Sequence, residues 1–209
     1  MAEINRYLAS FPVYVDSHVP QTSRNRGDGT YPRDSARVYM SECICILGDH
    51  VVTAPYMLEK ALSLTDVAAA YLEVETPNLY STNAFWTRPG QAPIRGDIQG
   101  WHTDQDDVRF LAMFIYLTNV LTERDGPQEL KGPDGLVHPI YGMAGTVWLA
   151  DTHWTHRGLK PQTEERGIAW FRWGVSEKPP AGQWDKITPI KAEVLGDRYP
   201  SEQRLRNSI

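Results

Sequence analysis

The stretch VRFLAMFIYLTNVLTERDGPQELKGPDGLVHPIYGMAGTVWLAD, residues 108–151, alternates short β-like runs with strong turn signals. Runs at 108–118, 136–140 and 145–151 are separated by Arg124-Asp125-Gly126-Pro127, Gly132-Pro133-Asp134-Gly135 and Tyr141-Gly142. Glycine and proline turn the chain back before a long helix can form. Outside this stretch, similar runs occupy 80–87, 97–104 and 166–175, with Arg88-Pro89-Gly90 as a further turn. Many short strands must bury their apolar faces against one another. The pattern therefore predicts a mainly β fold with flanking helices, a double-stranded β-helix or jelly roll.

Upstream, residues 55–72 carry apolar positions at helical spacing. They predict one or two helices, with Thr65-Asp66 as an N-cap before Val67. These helices would cover one sheet face, and Pro77 closes the region. Residues 37–47 (RVYMSECICIL) read as one strand. Residues 20–35 are polar and rich in Gly, Pro and Arg, which makes them a candidate lid loop. Arg24, Arg26, Arg33 and Arg37 make the same region a candidate for holding an anionic substrate. The tail from Glu177 is polar, with Trp184 and Ile187 as anchors. The expected organisation is a single domain over 1–209: N-terminal helices and strands over 1–78, a cupin-like jelly-roll core over 79–175, and a tail over 176–209.

The chain has 209 residues, of which 41% are hydrophobic and 22% charged, enough apolar content for a folded core. A net charge of −5 argues against nucleic acid or an anionic membrane as the main partner. The two cysteines, Cys43 and Cys45, read as reduced thiols of a cytoplasmic protein and not as a zinc site. The start, Met1 to Arg6, has no apolar signal core, and no apolar run is long enough to span a bilayer.

The chemistry concentrates in Gln99-Gly100-Trp101-His102-Thr103-Asp104 and in the distant His156. Residues two apart on a strand share a face, so His102 and Asp104 aim an imidazole and a carboxylate at one point. With a second imidazole from His156, they make the two-histidine, one-carboxylate set of a mononuclear non-haem iron site, which leaves one face of the metal open. A lone His-x-Asp arises often by chance; the added histidine, a later arginine and the β pattern give it weight. His153 competes for the third position, but His156 is followed by Gly158 and Pro161, a turn that lets the backbone leave the metal. Asp106 and Asp107 read as solvated, or as neighbours of the ligands. His18, His50 and His138 lack carboxylates at metal spacing and read as structural or exposed. Arg166 opens a strand-like run, where a guanidinium can grip a carboxylate-bearing co-substrate in bidentate fashion. Arg172, on the same face, is its rival.

From about Leu62 to Gly174 the chain resembles the phytanoyl-CoA dioxygenase-like branch of the iron(II)/2-oxoglutarate-dependent oxygenases. The resemblance rests on Ala70-Tyr71-Leu72, Pro89-Gly90, the Trp101-His102-Thr103-Asp104 segment and the turn Asp125-Gly126-Pro127-Gln128-Glu129-Leu130. It continues through Gly145 to Asp151 and Thr155-His156-Arg157-Gly158 to Arg166. One departure is Lys131-Gly132-Pro133-Asp134-Gly135, where the family has Pro-Gly-Ser-His. That region commonly shapes the substrate pocket, so the substrate does not carry over.

The resemblance implies that His102, Asp104 and His156 bind iron(II) and that Arg166 holds the far carboxylate of 2-oxoglutarate, with O2 as second co-substrate. It also implies hydroxylation of a small molecule, since related halogenases lack the carboxylate that Asp104 retains. Desaturation or ring formation at the same site, and a non-catalytic binding jelly roll, are the alternatives. Asn83 and Gln99 are candidates to hydrogen-bond the co-substrate, and Phe85, Trp86, Trp101 and Trp148 to line the pocket.

Overall fold

The computed structural model describes residues 13–14, 37–40, 43–46, 57–87, 89 and 100–176; side chains are described over 59–79, at 84, 86, 87 and 89, and over 100–176. The 20–35 loop, Gln99, His18, His50, Trp184 and Ile187 lie outside the described residues.

Two helices, α1 (Met57–Leu62) and α2 (Thr65–Leu72), precede the main β region. The strands are β1 (Val13–Tyr14), β2 (Arg37–Met40), β3 (Cys43–Ile46), β4 (Asn78–Thr87), β5 (Phe110–Tyr116), β6 (Gln128–Lys131), β7 (Val137–Ile140), β8 (Val147–Ala150), β9 (His156–Gly158) and β10 (Arg166–Gly174). They form a seven-stranded sheet in the order β1-β2-β3-β4-β10-β5-β8 and a three-stranded sheet in the order β7-β6-β9. A bridge between His102 and His156 adds the His102 segment beside β9. The last strand, β10, lies between β4 and β5, and sequential strands pass from one sheet to the other. This is the double-stranded β-helix, with helices on the outside of the larger sheet.

Side-chain alternation on β5 and β10 explains why both read as continuous apolar runs. Leu111, Met113, Ile115 and Leu117 join Ala169, Phe171 and Trp173 in a cluster with Ala61, Ala68 and Leu72 of the helices. On the other face, Ala112, Phe114 and Tyr116 join Ile168 and Ala150, with Leu130, Ile140, Trp148 and Trp170 packed against them. The second cluster fills the space between the sheets. Arg166 and Arg172 share the parity of Ile168 and Trp170, so alternation also directs them between the sheets.

Several local expectations are corrected. Residues 37–47 are not one strand but two, β2 and β3, paired antiparallel from Arg37↔Ile46 to Met40↔Cys43. Strands β6 (QELK) and β9 (HRG) were not legible, because three or four mainly polar residues carry too little alternation. Within 97–104 the described residues 100–104 hold a single bridge at His102 instead of a continuous strand. The cap of α2 is Leu64, without a side-chain cap bond, so Thr65 is the first helical residue and not the cap. No helix among the described residues is long and apolar enough to cross a membrane.

Candidate metal centre

His102, Asp104 and His156 offer one ligand atom each, all within 4.8 Å of one another; no other such group of His, Cys, Asp or Glu occurs among the described residues. The backbone brings them together. His102 N–H donates to the His156 carbonyl (3.0 Å), His156 N–H donates back (2.9 Å), and Asp104 N–H donates to the Thr152 carbonyl (2.9 Å). The His156 ring lies 4.2 Å from that of His102 between centroids. Nε2 of His156 is 3.6 Å from Asp104 Oδ2, and Nε2 of His102 is 3.9 Å from Asp104 Oδ1.

Both rings have the tautomer a metal needs. His102 Nδ1 lies 2.7 Å from the Gly100 carbonyl and His156 Nδ1 lies 3.0 Å from the Trp154 carbonyl. A carbonyl oxygen only accepts, so the proton sits on Nδ1 and each Nε2 presents a lone pair to the site. Burial pushes the His156 pKa down, and the neighbouring His102 adds to this against the pull of Asp104. The net lowering favours the neutral imidazole that coordinates. At Asp104, burial pushes the pKa up, but Arg172, His156, a Thr152 hydrogen bond and His102 together hold the carboxyl below its usual range. The carboxylate is thus ionised. Two imidazoles and one carboxylate on one side fit a divalent first-row ion with open positions opposite.

Arg166 is buried at the start of β10. Its Nη1 donates to the carbonyls of Gly126 and Leu159 (the latter at 2.8 Å), and its Nη2 donates to Thr87 Oγ1 at 3.0 Å. The guanidinium is therefore fixed in orientation before any ligand arrives. It lies beside Gly158, where an added Cβ would meet Arg166 Nη2 at 2.8 Å and Gln128 Nε2 at 2.7 Å. Gly158 shares its strand face with His156, about 7 Å along β9. A methyl group there must displace an arginine that three oxygens hold. Gly158→Ala is expected to cost about 1–3 kcal/mol in urea unfolding through this displacement, with cobalt(II) affinity unchanged in a separate titration.

The turn that supplies the Gly126 carbonyl is itself pinned. Asp125 Oδ2 accepts from Leu121 N–H (2.9 Å), Thr122 N–H (2.8 Å) and the Thr122 hydroxyl (3.0 Å). These bonds hold the Asp125 pKa below the usual carboxylate range. Gly126 has φ 72°, and a Cβ would meet the Leu159 carbonyl oxygen at 2.5 Å and Pro161 N at 2.6 Å. Gly126→Ala combines left-handed strain with a clash against backbone, and a loss of about 3 kcal/mol is expected in urea unfolding.

Other candidates fall elsewhere. Asp106 and Asp107 are buried, so the solvated reading fails, while Asp106 does neighbour the ligand Asp104 through Arg172. Asp106 pairs with Arg172, and Asp107 accepts from Ser176 N–H (2.9 Å) and from the Ser176 hydroxyl (2.5 Å). His153 stays out of the triad: Nδ1 is 3.0 Å from Asp151 Oδ1, Nε2 is 3.1 Å from the Asp107 carbonyl, and the ring packs on Phe110. His138 lies near Asp134 on the surface. Trp86 belongs to the cluster on the helix side, and Trp101 is exposed beneath the Arg157 guanidinium, 4.3 Å away. Of the aromatic candidates with described side chains, Trp148 alone packs between the sheets, stacked on Phe114. Asn83 lies on β4 opposite Trp170, with its side chain outside the described set.

In the sequence Arg172 stands only as a rival to Arg166. In the fold its Nη2 donates to Asp104 Oδ2 at 2.6 Å. The overlooked signal was the close spacing of Asp104 and Asp106, two acids that need a countercharge once they leave solvent. Thr87, Gly126 and Leu159 were also not legible as holders of Arg166, since two of the three contribute only backbone.

No protein-family model matches the chain, and no curated protein matches its sequence. Solved structures are similar in fold. HygX from Streptomyces hygroscopicus, with nickel and 2-oxoglutarate bound, is 11% identical, with a TM-score of 0.53 over 84% of this chain and 79% of that one. A Pseudomonas putida prolyl-4-hydroxylase is 18% identical, with a TM-score of 0.51 over 84% and 83%. AviO1 from Streptomyces viridochromogenes Tue57 is 18% identical, with a TM-score of 0.50 over 86% and 96%. At these identities the likeness is one of fold.

Proposed function

We propose that this chain is an iron(II)- and 2-oxoglutarate-dependent oxygenase that hydroxylates a C–H bond of a small molecule. The observation that carries the reading is the convergence of His102, Asp104 and His156, with both Nε2 lone pairs directed inward by carbonyls on Nδ1. The fold relative HygX holds nickel and 2-oxoglutarate in its solved structure, which supports the same pairing here. When bound, iron(II) with 2-oxoglutarate and O2 supplies oxidation of a C–H bond coupled to release of succinate and CO2.

The protein's own residues have separable tasks. His102, Asp104 and His156 hold the metal on one side and leave the other open. Arg166 pairs with the distal carboxylate of 2-oxoglutarate. Its guanidinium lies beside Gly158, about 7 Å along β9 from His156, a span that a five-carbon dicarboxylate bridges. Trp148, Phe114 and Trp170 wall the space between the sheets and exclude water from it. Tyr116 is tied by its hydroxyl to the Ile140 carbonyl at 2.7 Å and receives Gln128 N–H at 3.0 Å, so it braces the same wall. Burial pushes its pKa up to about 12, which keeps the phenol neutral.

The test is succinate formation and O2 uptake by iron-loaded protein, screened over small molecules that include carboxylates and phosphates. Substrate-dependent succinate with a product heavier by one oxygen supports hydroxylation. A product lighter by two hydrogens assigns the same site to desaturation or ring closure. Iron-loaded protein that binds small molecules but never forms succinate is a binding jelly roll.

A further inference from the structure

We infer that Arg172, braced by Asp106, is a positioning residue for the Asp104 carboxylate, holding one of its oxygens so that the other is presented to the metal. The inference rests on the proposed metal site. Arg172 Nη2 lies 2.6 Å from Asp104 Oδ2, while Nη1 pairs with Asp106 Oδ2. The three side chains are largely buried, at 11% exposure for Arg172, 7% for Asp106 and 19% for Asp104. Phe110 and Trp170 flank the guanidinium, their ring centroids 5.6 and 5.7 Å away.

Stability alone is a poor reason for such a cluster. Desolvating three charges costs about as much as their attraction returns, and apolar replacements of such groups are often neutral. A planar guanidinium, in contrast, fixes the carboxylates on its two Nη atoms in direction as well as distance. Asp104 sits on a segment whose only described ladder contacts are the His102 bridge and the Thr152 bond. A Thr152 hydrogen bond also acts on its carboxyl, and Arg172 supplies the charged brace. Arg172 lies on β10, an interior strand of the larger sheet paired on both sides, and so a rigid base. It stands six residues from Arg166, about 20 Å along an extended strand, so the two arginines serve different ends of the cavity. A carboxylate with one oxygen committed to arginine ligates through the other, and the metal keeps its open positions for co-substrates.

The experiment is an anaerobic titration of metal-free protein with cobalt(II), read in the visible ligand-field bands. It compares the wild type with Arg172→Ala, Arg172→Lys, Asp106→Asn and His156→Ala. Arg172→Ala is expected to weaken cobalt(II) binding by about 10- to 100-fold and to shift the bands. Arg172→Lys should recover part of the affinity, and Asp106→Asn should show a smaller loss with the same sense of shift. Folded Arg172→Ala with wild-type affinity and wild-type bands would overturn the inference. Where Arg172→Ala does not fold, Asp106→Asn decides, and unchanged affinity and bands in it overturn the inference equally. A wild type that binds no cobalt(II), or a His156→Ala that binds as the wild type does, overturns the metal-site reading and this inference with it.

Discussion

His156→Ala is expected to reduce iron-dependent turnover of 2-oxoglutarate by roughly three powers of ten or more, since metal participation is worth several kcal/mol in the transition state. Its imidazole is buried, its Nδ1 is committed to the Trp154 carbonyl, and its Nε2 points toward Asp104. Among the described residues no other histidine stands ready to replace it. His153, three residues earlier, has both ring nitrogens engaged with Asp151 and the Asp107 carbonyl. The backbone bonds between His102 and His156 survive the substitution, so the fold should persist while the metal is lost. The check is metal content and succinate formation, side by side with circular dichroism. Activity retained within tenfold of wild type would remove His156 from the metal site.

Arg166→Ala is expected to raise the KM for 2-oxoglutarate by about 100-fold, which corresponds to about 2.7 kcal/mol for a buried charge-assisted pair. The effect should fall on co-substrate binding, with iron(II) affinity near wild type. Removing the side chain also frees the carbonyls of Gly126 and Leu159 and the Thr87 hydroxyl, so some loss of stability accompanies it. Arg166→Lys separates the two effects. An ammonium restores charge but not the fork, so it should regain stability more fully than KM. If Arg166→Ala leaves KM unchanged, the guanidinium serves only to tie β10 to the turns at Gly126 and Leu159.

The β architecture was legible because two long interior strands carry a clear signal. Phe110–Tyr116 and Arg166–Gly174 are buried on both faces and read as continuous apolar runs bounded by turns. Two of the strands that were missed, Gln128–Lys131 and His156–Gly158, owe their form to pairing with each other and not to their own residues. Pairing partners come from the fold, and a segment of three residues has no period to detect. The same division holds for the site. His102 and Asp104 could be read together because an i, i+2 spacing shares a face, and His156 followed from its setting beyond a strand-like run. Arg172 could not be placed, because its partner Asp104 is 68 positions away, and the ladder from β10 through β5 to β8, with the Asp104–Thr152 backbone bond beyond it, brings them together. Asp106 and Asp107 could be read as solvated or as neighbours of the ligands; an ion pair and a Ser176 clip allow both to be buried.

The most direct test of the oxygenase reading is an anaerobic titration of metal-free protein with iron(II), followed by 2-oxoglutarate, watching for a visible charge-transfer band. The account predicts a band that requires both additions, vanishes in His156→Ala and needs far more 2-oxoglutarate in Arg166→Ala. A well-folded, iron-loaded protein that shows no band at saturating 2-oxoglutarate would contradict it.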